Sequence, residues 1–175
     1  MPKKSSADSN NIIYMLRTAQ QHHVQLSLMA DQKANFLLIA SFVLLSILAS
    51  YIAQGQASLT LLYVGLVLVL ASIFAVLTVS PRFKKSQTHV DDNHLFFGNF
   101  AHLSFDEFYS DIEQKMTSDA EIYQAMAKDI YSIGQVLNNK KYRYLNISYR
   151  IFYIGIFLFP FVVALDLFFI QKVSL

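Results

Sequence analysis

The chain has 175 residues, of which 54% are hydrophobic and 15% charged; it has no cysteine and a formal net charge of +2 at pH 7. Soluble domains carry about 25% charged residues, so much of this protein's surface is expected to face lipid. The absence of cysteine excludes disulfides, cysteine-based metal sites and thiol chemistry. The small net charge argues against nucleic acid as a partner.

The N-terminal part of the chain predicts one long helix. Residues 1–9 are polar and lack apolar periodicity, which predicts a disordered tail. From Ile12 onward, apolar or small residues recur every three or four positions, and neither proline nor glycine occurs before Gly55. We therefore predict a single helix of roughly 44 residues, with 10–33 in the cytosol and 34–53 as the first membrane span.

A second span is predicted at 59–79, after an uncharged turn. No charged residue occurs between Lys33 and Arg82, and this stretch is long enough to cross a bilayer twice. Small side chains that permit close helix contact lie one turn apart in both spans, at Ser46 and Ser50 and at Ala71 and Ala75.

The distribution of basic residues predicts the topology. Basic flanks of membrane spans stay in the cytoplasm, and Lys33 precedes the first span. The other flanking basic residues are Arg82, Lys84 and Lys85 after the second span, and Lys140, Lys141, Arg143 and Arg150 before the third. We expect an N-in, C-out protein of the bacterial inner membrane, with a cytosolic helical module at 82–149 and a third span at 151–170. No signal-peptide pattern occurs in the first thirty residues, so the spans are expected to persist in the mature protein.

Two capping boxes mark helix starts inside the predicted module, at Ser104 with Glu107 and at Ser118 with Glu121. The second of these helices has an apolar face over 122–137 and meets no proline before Pro160. The predicted fold is therefore all-α: three spans, and a cytosolic module made of extensions of the first and third spans plus a short helix. Five phenylalanines are expected to pack in this module: Phe96, Phe97, Phe100, Phe105 and Phe108.

Little in the sequence indicates catalysis. Residues of metal-ligand type cluster at His89, Asp91, Asp92 and His94. We favour a solvated loop over a metal site there, because the spacing matches no hydrolase motif. There is no Ser/His/Asp nucleophile motif and no phosphate-binding glycine-rich loop, so we predict a protein that is neither an enzyme nor metal-dependent.

Three ionisable residues near or within the spans invite a functional interpretation. Asp31 and Lys33 lie within one turn of the membrane, where we expect them to couple the module to the spans. Asp31 either pairs with a base, Lys33 or the Lys140 region, or contacts a ligand. Asp166 lies inside the third span near its outer end, so it is predicted to line a pore or to pair helices.

Several segments resemble the Pycsar transmembrane effector family of bacterial antiphage defence. The resemblance covers roughly Met15 to Phe152. Its segments are Arg17–Gln20, His23–Ser27, Met29–Ala34, Leu95–Phe100 with Leu103–Ser104, Asp129–Tyr131 with Gly134 and Leu137, Lys140–Tyr142, and Tyr149–Arg150.

The resemblance implies an effector that senses a cyclic pyrimidine mononucleotide, cCMP or cUMP, made by a companion cyclase, and then impairs the inner membrane to cause abortive infection. No cofactor is expected. Three spans enclose no aqueous path, so we expect a homo-oligomer in the bilayer. The alternative function is a structural or accessory membrane subunit whose cytosolic helices dock a partner protein. A nucleotide cyclase gene next to this gene would favour the effector function. An operon of transporter or secretion genes would favour the accessory-subunit function.

A nucleotide pocket needs a cation for the phosphate, an aromatic surface, and amide or carboxylate groups for the base. If the two long helices pack antiparallel, six residues supply these groups: Arg17, Gln20 and His23 from the first helix, and Asp129, Tyr131 and Lys141 from the closing stretch. An ion pair between Arg17 and Asp129 is the competing interpretation.

Overall fold

The computed structural model describes residues 6–80, 95, 100–101 and 103–173, with side chains for all of these except 6–9 and 170–173. Every regular element in this part of the chain is a helix. The elements are α1 (Ser6–Ala53), α2 (Leu59–Val79), α3 (Phe105–Lys115), α4 (Asp119–Val136), a π-helical segment (Leu137–Tyr142) and α5 (Arg143–Val173). Three helical stretches are long and apolar enough to cross a membrane: Asn10–Ala53, Leu59–Val79 and Asp119–Phe169. The prediction of an all-α protein with three candidate spans is confirmed.

The chain divides into two compact units. We call Met1–Leu28 with Pro81–Asn139 the polar unit, and Met29–Ser80 with Lys140–Leu175 the span unit. The basic residues Arg82, Lys84 and Lys85, on which part of the predicted topology rests, lie outside the described residues.

The helix α1 runs without interruption from Ser6 to Ala53, because no proline or glycine occurs within it. The chain turns after it at Gly55, whose φ of 81° lies in the left-handed region that glycine adopts without strain. Ser58 then caps α2 by accepting a hydrogen bond from the Leu61 N–H at 3.3 Å. The helix α2 has the bounds predicted for the second span.

The core of the span unit is built largely from small side chains. Its buried apolar residues are Ala30, Ala34 and Leu37 of α1, Ala71 and Ala75 of α2, and Leu145 of α5. Ser148 is fully buried beside them, and its hydroxyl donates a 2.6 Å hydrogen bond to the Ala71 carbonyl oxygen. Small residues let helix backbones approach closely where lipid supplies no hydrophobic driving force.

The two predicted small-residue pairs differ in outcome. Ala71 and Ala75 are fully buried in the core of the span unit, as that prediction requires. Ser46 and Ser50 are exposed, and the Ser46 hydroxyl donates to the Phe42 carbonyl oxygen of its own helix at 2.8 Å. Neither serine is therefore buried in the core of the span unit, where the alanine pair lies.

Side-chain caps define the helix starts of the polar unit. At α3, Ser104 accepts from the Glu107 N–H at 3.3 Å while a Glu107 carboxylate oxygen accepts from the Ser104 N–H at 2.9 Å, a complete capping box. At α4, Ser118 caps the Glu121 N–H, and the Glu121 carboxylate accepts instead from the Thr117 hydroxyl at 2.8 Å. The second predicted box is therefore only half formed.

Two of the five phenylalanines pack as predicted. The rings of Phe100 and Phe108 lie 5.1 Å apart between centroids. Phe105 is 75% exposed and stacks only on Tyr109 along its own helix. Phe96 and Phe97 lie outside the described residues.

The helical path from α4 into α5 is continuous, as predicted, but it passes through a π-helical segment from Leu137 to Tyr142. In a π turn the hydrogen bonds run from i to i+5, so the side chains change register relative to an α-helix. The sequence shows no proline or glycine at this point that would have signalled the change. Such π turns occur frequently at functional sites.

Gly155 lets α5 approach α2 closely. A methyl group at this position would lie 3.2 Å from the Val67 Cβ and closer to both Val67 methyls, and the Tyr63 hydroxyl donates to the Gly155 carbonyl oxygen at 3.0 Å. Valine is stiff about χ1, so its side chain yields only at a cost and the contact between α2 and α5 must shift. Overpacking costs about 1–3 kcal/mol, against a helix-propensity gain of about 1 kcal/mol. We expect Gly155→Ala to lower stability by about 1 kcal/mol net in detergent unfolding.

The matched control is Gly65→Ala in α2. A methyl group there would meet only the Leu48 Cδ2 at 3.5 Å, an ordinary contact. This variant should unfold at or slightly above the wild-type midpoint. Equal shifts for both variants would show that the α2–α5 approach at Gly155 is not tight.

Candidate functional site

Three of the predicted site residues come together in the polar unit. Gln20 and His23 lie one turn apart on α1, and the Gln20 side-chain amide donates a hydrogen bond to an Asp129 carboxylate oxygen of α4. Asp129 is only 3% exposed, although it is a carboxylate. A buried carboxylate held by an amide across two helices is an expensive arrangement that apolar residues would avoid.

His23 lies against Gly134 of α4. A methyl group at Gly134 would stand 3.5 Å from the His23 Cε1 and 3.9 Å from its Nε2, both ordinary contacts, so the imidazole lies directly against this part of α4. The His23 Nδ1 is buried and has no hydrogen-bond partner among the described residues. A buried nitrogen of this kind is a candidate for bonding to a ligand or to water.

Among the described residues, the structure shows no bond between this group and the other three predicted pocket residues. Arg17 is exposed, and Tyr131 is 68% exposed. Asp129 bonds Gln20, and the structure shows no ion pair between Asp129 and Arg17 in the described part of the chain. Lys141 belongs to the span unit, where it is engaged by Asp31.

Asp31 and Lys141 form an ion pair inside the span unit. The Lys141 ammonium donates to both Asp31 carboxylate oxygens, at 2.8 and 2.7 Å. The Asp31 side chain is 28% exposed and the Lys141 side chain is 23% exposed, so the pair is largely screened from solvent. Of the two bases considered for Asp31, the partner thus comes from the Lys140 region.

Lys33 contributes its backbone to the same unit. Its carbonyl oxygen accepts a 3.3 Å hydrogen bond from the Tyr149 hydroxyl, while its side chain is exposed. The sequence offered no signal for this contact, because any residue at position 33 would supply a carbonyl.

Asp166 caps the start of α2. Its carboxylate accepts from the Leu59 N–H at 3.3 Å, from the Thr60 N–H at 3.2 Å and from the Thr60 hydroxyl at 2.7 Å. The first N–H groups of a helix lack intrahelical partners, and a negative charge there is favoured by the helix dipole. Asp166 therefore joins α5 to α2. Thr60, its hydroxyl partner, was not anticipated.

An apolar cavity of about 190 Å³ lies within the span unit, lined by Leu44 of α1, Tyr63, Val64, Val67 and Leu68 of α2, and Phe152, Gly155, Ile156 and Phe159 of α5. The lining offers no charged group for a phosphate. This cavity is therefore no candidate for the predicted nucleotide.

Metal binding finds no support in the described part of the chain. Among those residues no group of three His, Cys, Asp or Glu side chains is placed to hold an ion. The cluster of His89, Asp91, Asp92 and His94 lies outside the described residues.

The helices and the side chains they position define a membrane protein with three apolar helices and a second helical unit in which a half-buried amide bonds a buried carboxylate. The chain belongs to the Pycsar effector family, because the family model of the Pycsar effector protein domain, PycTM, matches residues 14–168. No curated protein and no solved structure is significantly similar to the chain.

Proposed function

We propose that this antiphage effector senses a cyclic pyrimidine mononucleotide, cCMP or cUMP, in the cytosol and then impairs the inner membrane, so that the infected cell stops growing. Membership of the Pycsar effector family and the three apolar helices support an effector that acts at a membrane. The observation that carries the mechanism is α1 itself. The same unbroken helix holds Gln20 and His23 and also forms the first candidate span.

The proposed nucleotide site lies at Gln20, His23 and Asp129, with Arg17 at its rim. The amide and carboxylate offer donors and acceptors for the polar edge of a pyrimidine, and Asp129 would repel a phosphate. Arg17, exposed and one turn from Gln20, is the cation that reaches the cyclic phosphate. Lys141 is not part of this proposal, because its ammonium already bonds both oxygens of Asp31.

Equilibrium binding to detergent-purified protein tests this site. We expect cCMP or cUMP to bind and cAMP and cGMP to bind far more weakly. Arg17→Ala should lose a charge-assisted phosphate contact of about 1.5–3 kcal/mol, which is a tenfold to hundredfold loss of affinity. Folding should survive, since Arg17 is exposed.

The matched control is Lys128→Ala, which removes an exposed cation on α4 adjacent to Asp129. Its nucleotide affinity should stay near wild type. Unchanged affinity in a folded Arg17→Ala protein would remove the cation from the site, and binding of none of the four nucleotides would refute the sensing function.

We also propose the N-in, C-out topology, with the polar unit in the cytosol. The chain has no native cysteine, so single introduced cysteines report cleanly. A cysteine at Ser118, which is exposed at the start of α4, should react with an impermeant maleimide only after the cells are broken. A cysteine at the exposed Gly55 turn should react in intact spheroplasts. Labelling at position 118 in intact spheroplasts, with labelling at the Gly55 turn only after the cells are broken, would indicate the opposite topology.

A further inference from the structure

The solvent-facing side of α1 in the polar unit carries a regular stripe without charge. Tyr14, Thr18, Gln21, Gln25 and Leu28 follow one another at alternating spacings of four and three, and all five side chains are exposed. This is the heptad spacing of a coiled-coil seam, which keeps these residues on one side of the helix. We call these five residues the amide stripe.

The absence of charge from the stripe is unusual for a solvent-facing helix. From Asn10 to Asn35 the only charged residues of α1 are Arg17, Asp31 and Lys33. None of them occupies a position of the stripe or of its continuation. The exposed surface of α4, by contrast, carries Asp119, Glu121 and Lys128. Long exposed helices are normally covered by charges on their solvent side. The uncharged composition of the stripe is thus that of a surface that contacts another helix.

The polar groups of the stripe are self-complementary. A glutamine amide carries both donor and acceptor, so it can bond the same glutamine of another copy, whereas a lysine or glutamate would repel its own copy. Copies of this chain inserted into one bilayer share one orientation, so their α1 helices run parallel and equivalent residues meet across a symmetry axis. A polar residue at a seam position also fixes the register of a coiled coil.

We propose that the amide stripe is the surface on which α1 packs against α1 of a second copy of this chain as a parallel coiled coil. This inference rests on the proposed function, because three spans enclose no aqueous path and a chain that impairs a membrane is therefore expected to act in several copies. The same spacing continues in the sequence through Gln32 and Asn35.

The span unit shows a compatible surface. There, the residues that continue the spacing along α1 are Ile39, Phe42, Ser46, Ala49 and Ala53, and all five are exposed. Three of them are small, which permits close approach of equivalent helices in lipid. Ser46, which is exposed and bonds the Phe42 carbonyl oxygen of its own helix, belongs to this series.

Disulfide crosslinking of the full-length protein in proteoliposomes tests the seam. Gln21→Cys and Gln25→Cys should give covalent dimers on mild oxidation, because equivalent seam positions face each other across the axis. The matched controls are Met15→Cys and Val24→Cys, which are exposed on the same helix but flank the stripe. These should give traces of dimer only. Equal yields at all four positions, or no dimer at any, would overturn the proposal.

A charge-mixing experiment tests whether the partner of the amide stripe is a second copy of this chain or another molecule. Gln25→Glu and Gln25→Lys should each weaken self-association by about tenfold or more, through like-charge repulsion across the seam. Mixing the two variants should restore association, now as mixed assemblies. Wild-type association by either variant alone, or no recovery on mixing, would refute the coiled coil.

These outcomes are independent of nucleotide sensing, because Gln25 lies away from the face that holds Gln20 and His23. If the crosslinks fail while cCMP or cUMP still binds, only the seam is wrong. If the crosslinks form and no nucleotide binds, the seam stands and the sensing function fails.

Discussion

Replacing Asp166 by alanine is expected to release the start of α2 and to lower the unfolding midpoint in detergent by several degrees. All four N–H groups of the first turn of α2 are paired in the structure. The Asp166 carboxylate accepts from the N–H groups of Leu59 and Thr60. The Ser58 hydroxyl accepts from the Leu61 N–H, and the Ser58 carbonyl oxygen accepts from the Leu62 N–H. Alanine leaves two of these donors and the Thr60 hydroxyl without the carboxylate.

The control variant is Asp166→Asn, which keeps one side-chain oxygen acceptor but removes the charge. We expect an intermediate midpoint, because the hydrogen bond to Thr60 can persist while the favourable interaction with the helix dipole is lost. Thr60→Val should reproduce part of the alanine effect. A wild-type midpoint for Asp166→Ala would mean that the carboxylate does not hold the two helices together.

Breaking the Asp31–Lys141 pair is expected to be the second large effect. The pair is largely screened from solvent. Its contribution to the free energy of unfolding therefore lies between those of exposed and of fully buried ion pairs. We expect Asp31→Ala to lower the free energy of unfolding by about 2–3 kcal/mol. Much of this loss reflects removal of the carboxylate that offsets the charge of a partly buried lysine.

The appropriate measurement is a double-mutant cycle. Asp31→Asn and Lys141→Met, combined, should lose less than the sum of the two single variants, with a coupling of about 1–2 kcal/mol. Lys33→Gln is the matched control, since its side chain is exposed and its carbonyl contact to Tyr149 does not depend on the side chain. Additive losses would show that the ion pair contributes nothing by itself.

The helices were predictable because their signals are local. Hydrophobic runs, the missing proline and glycine before Gly55, and the capping serines at 104 and 118 act over a few residues. Residue spacing along one helix therefore sufficed for α1 from Asn10 onward and for the bounds of α2. The helix α1 begins earlier, at Ser6, so the prediction of a disordered tail over residues 1–9 is wrong for its last four residues. The π segment was not predictable, because the same residues fit an α-helix equally well and tertiary packing decides between the two.

The candidate site was predictable only where one helix supplies both residues. Gln20 and His23 share a face by spacing alone, but their meeting with Asp129 and Gly134 depends on how α1 and α4 pack. For the same reason the partner of Asp31 remained open between two bases, and Thr60 went unnoticed as the partner of Asp166. Lys141 was grouped with the pocket residues by sequence position, whereas the structure pairs it with Asp31 in the span unit.

The most direct test of the account is dye release from proteoliposomes that contain the full-length protein, with nucleotide added on the side of the polar unit. We predict that cCMP or cUMP triggers release while cAMP and cGMP do not, and that Arg17→Ala shifts the required concentration upward by tenfold to a hundredfold, in step with its loss of affinity. Membranes that stay intact at saturating cCMP and cUMP, with the protein shown to be folded and inserted, would contradict the central claim.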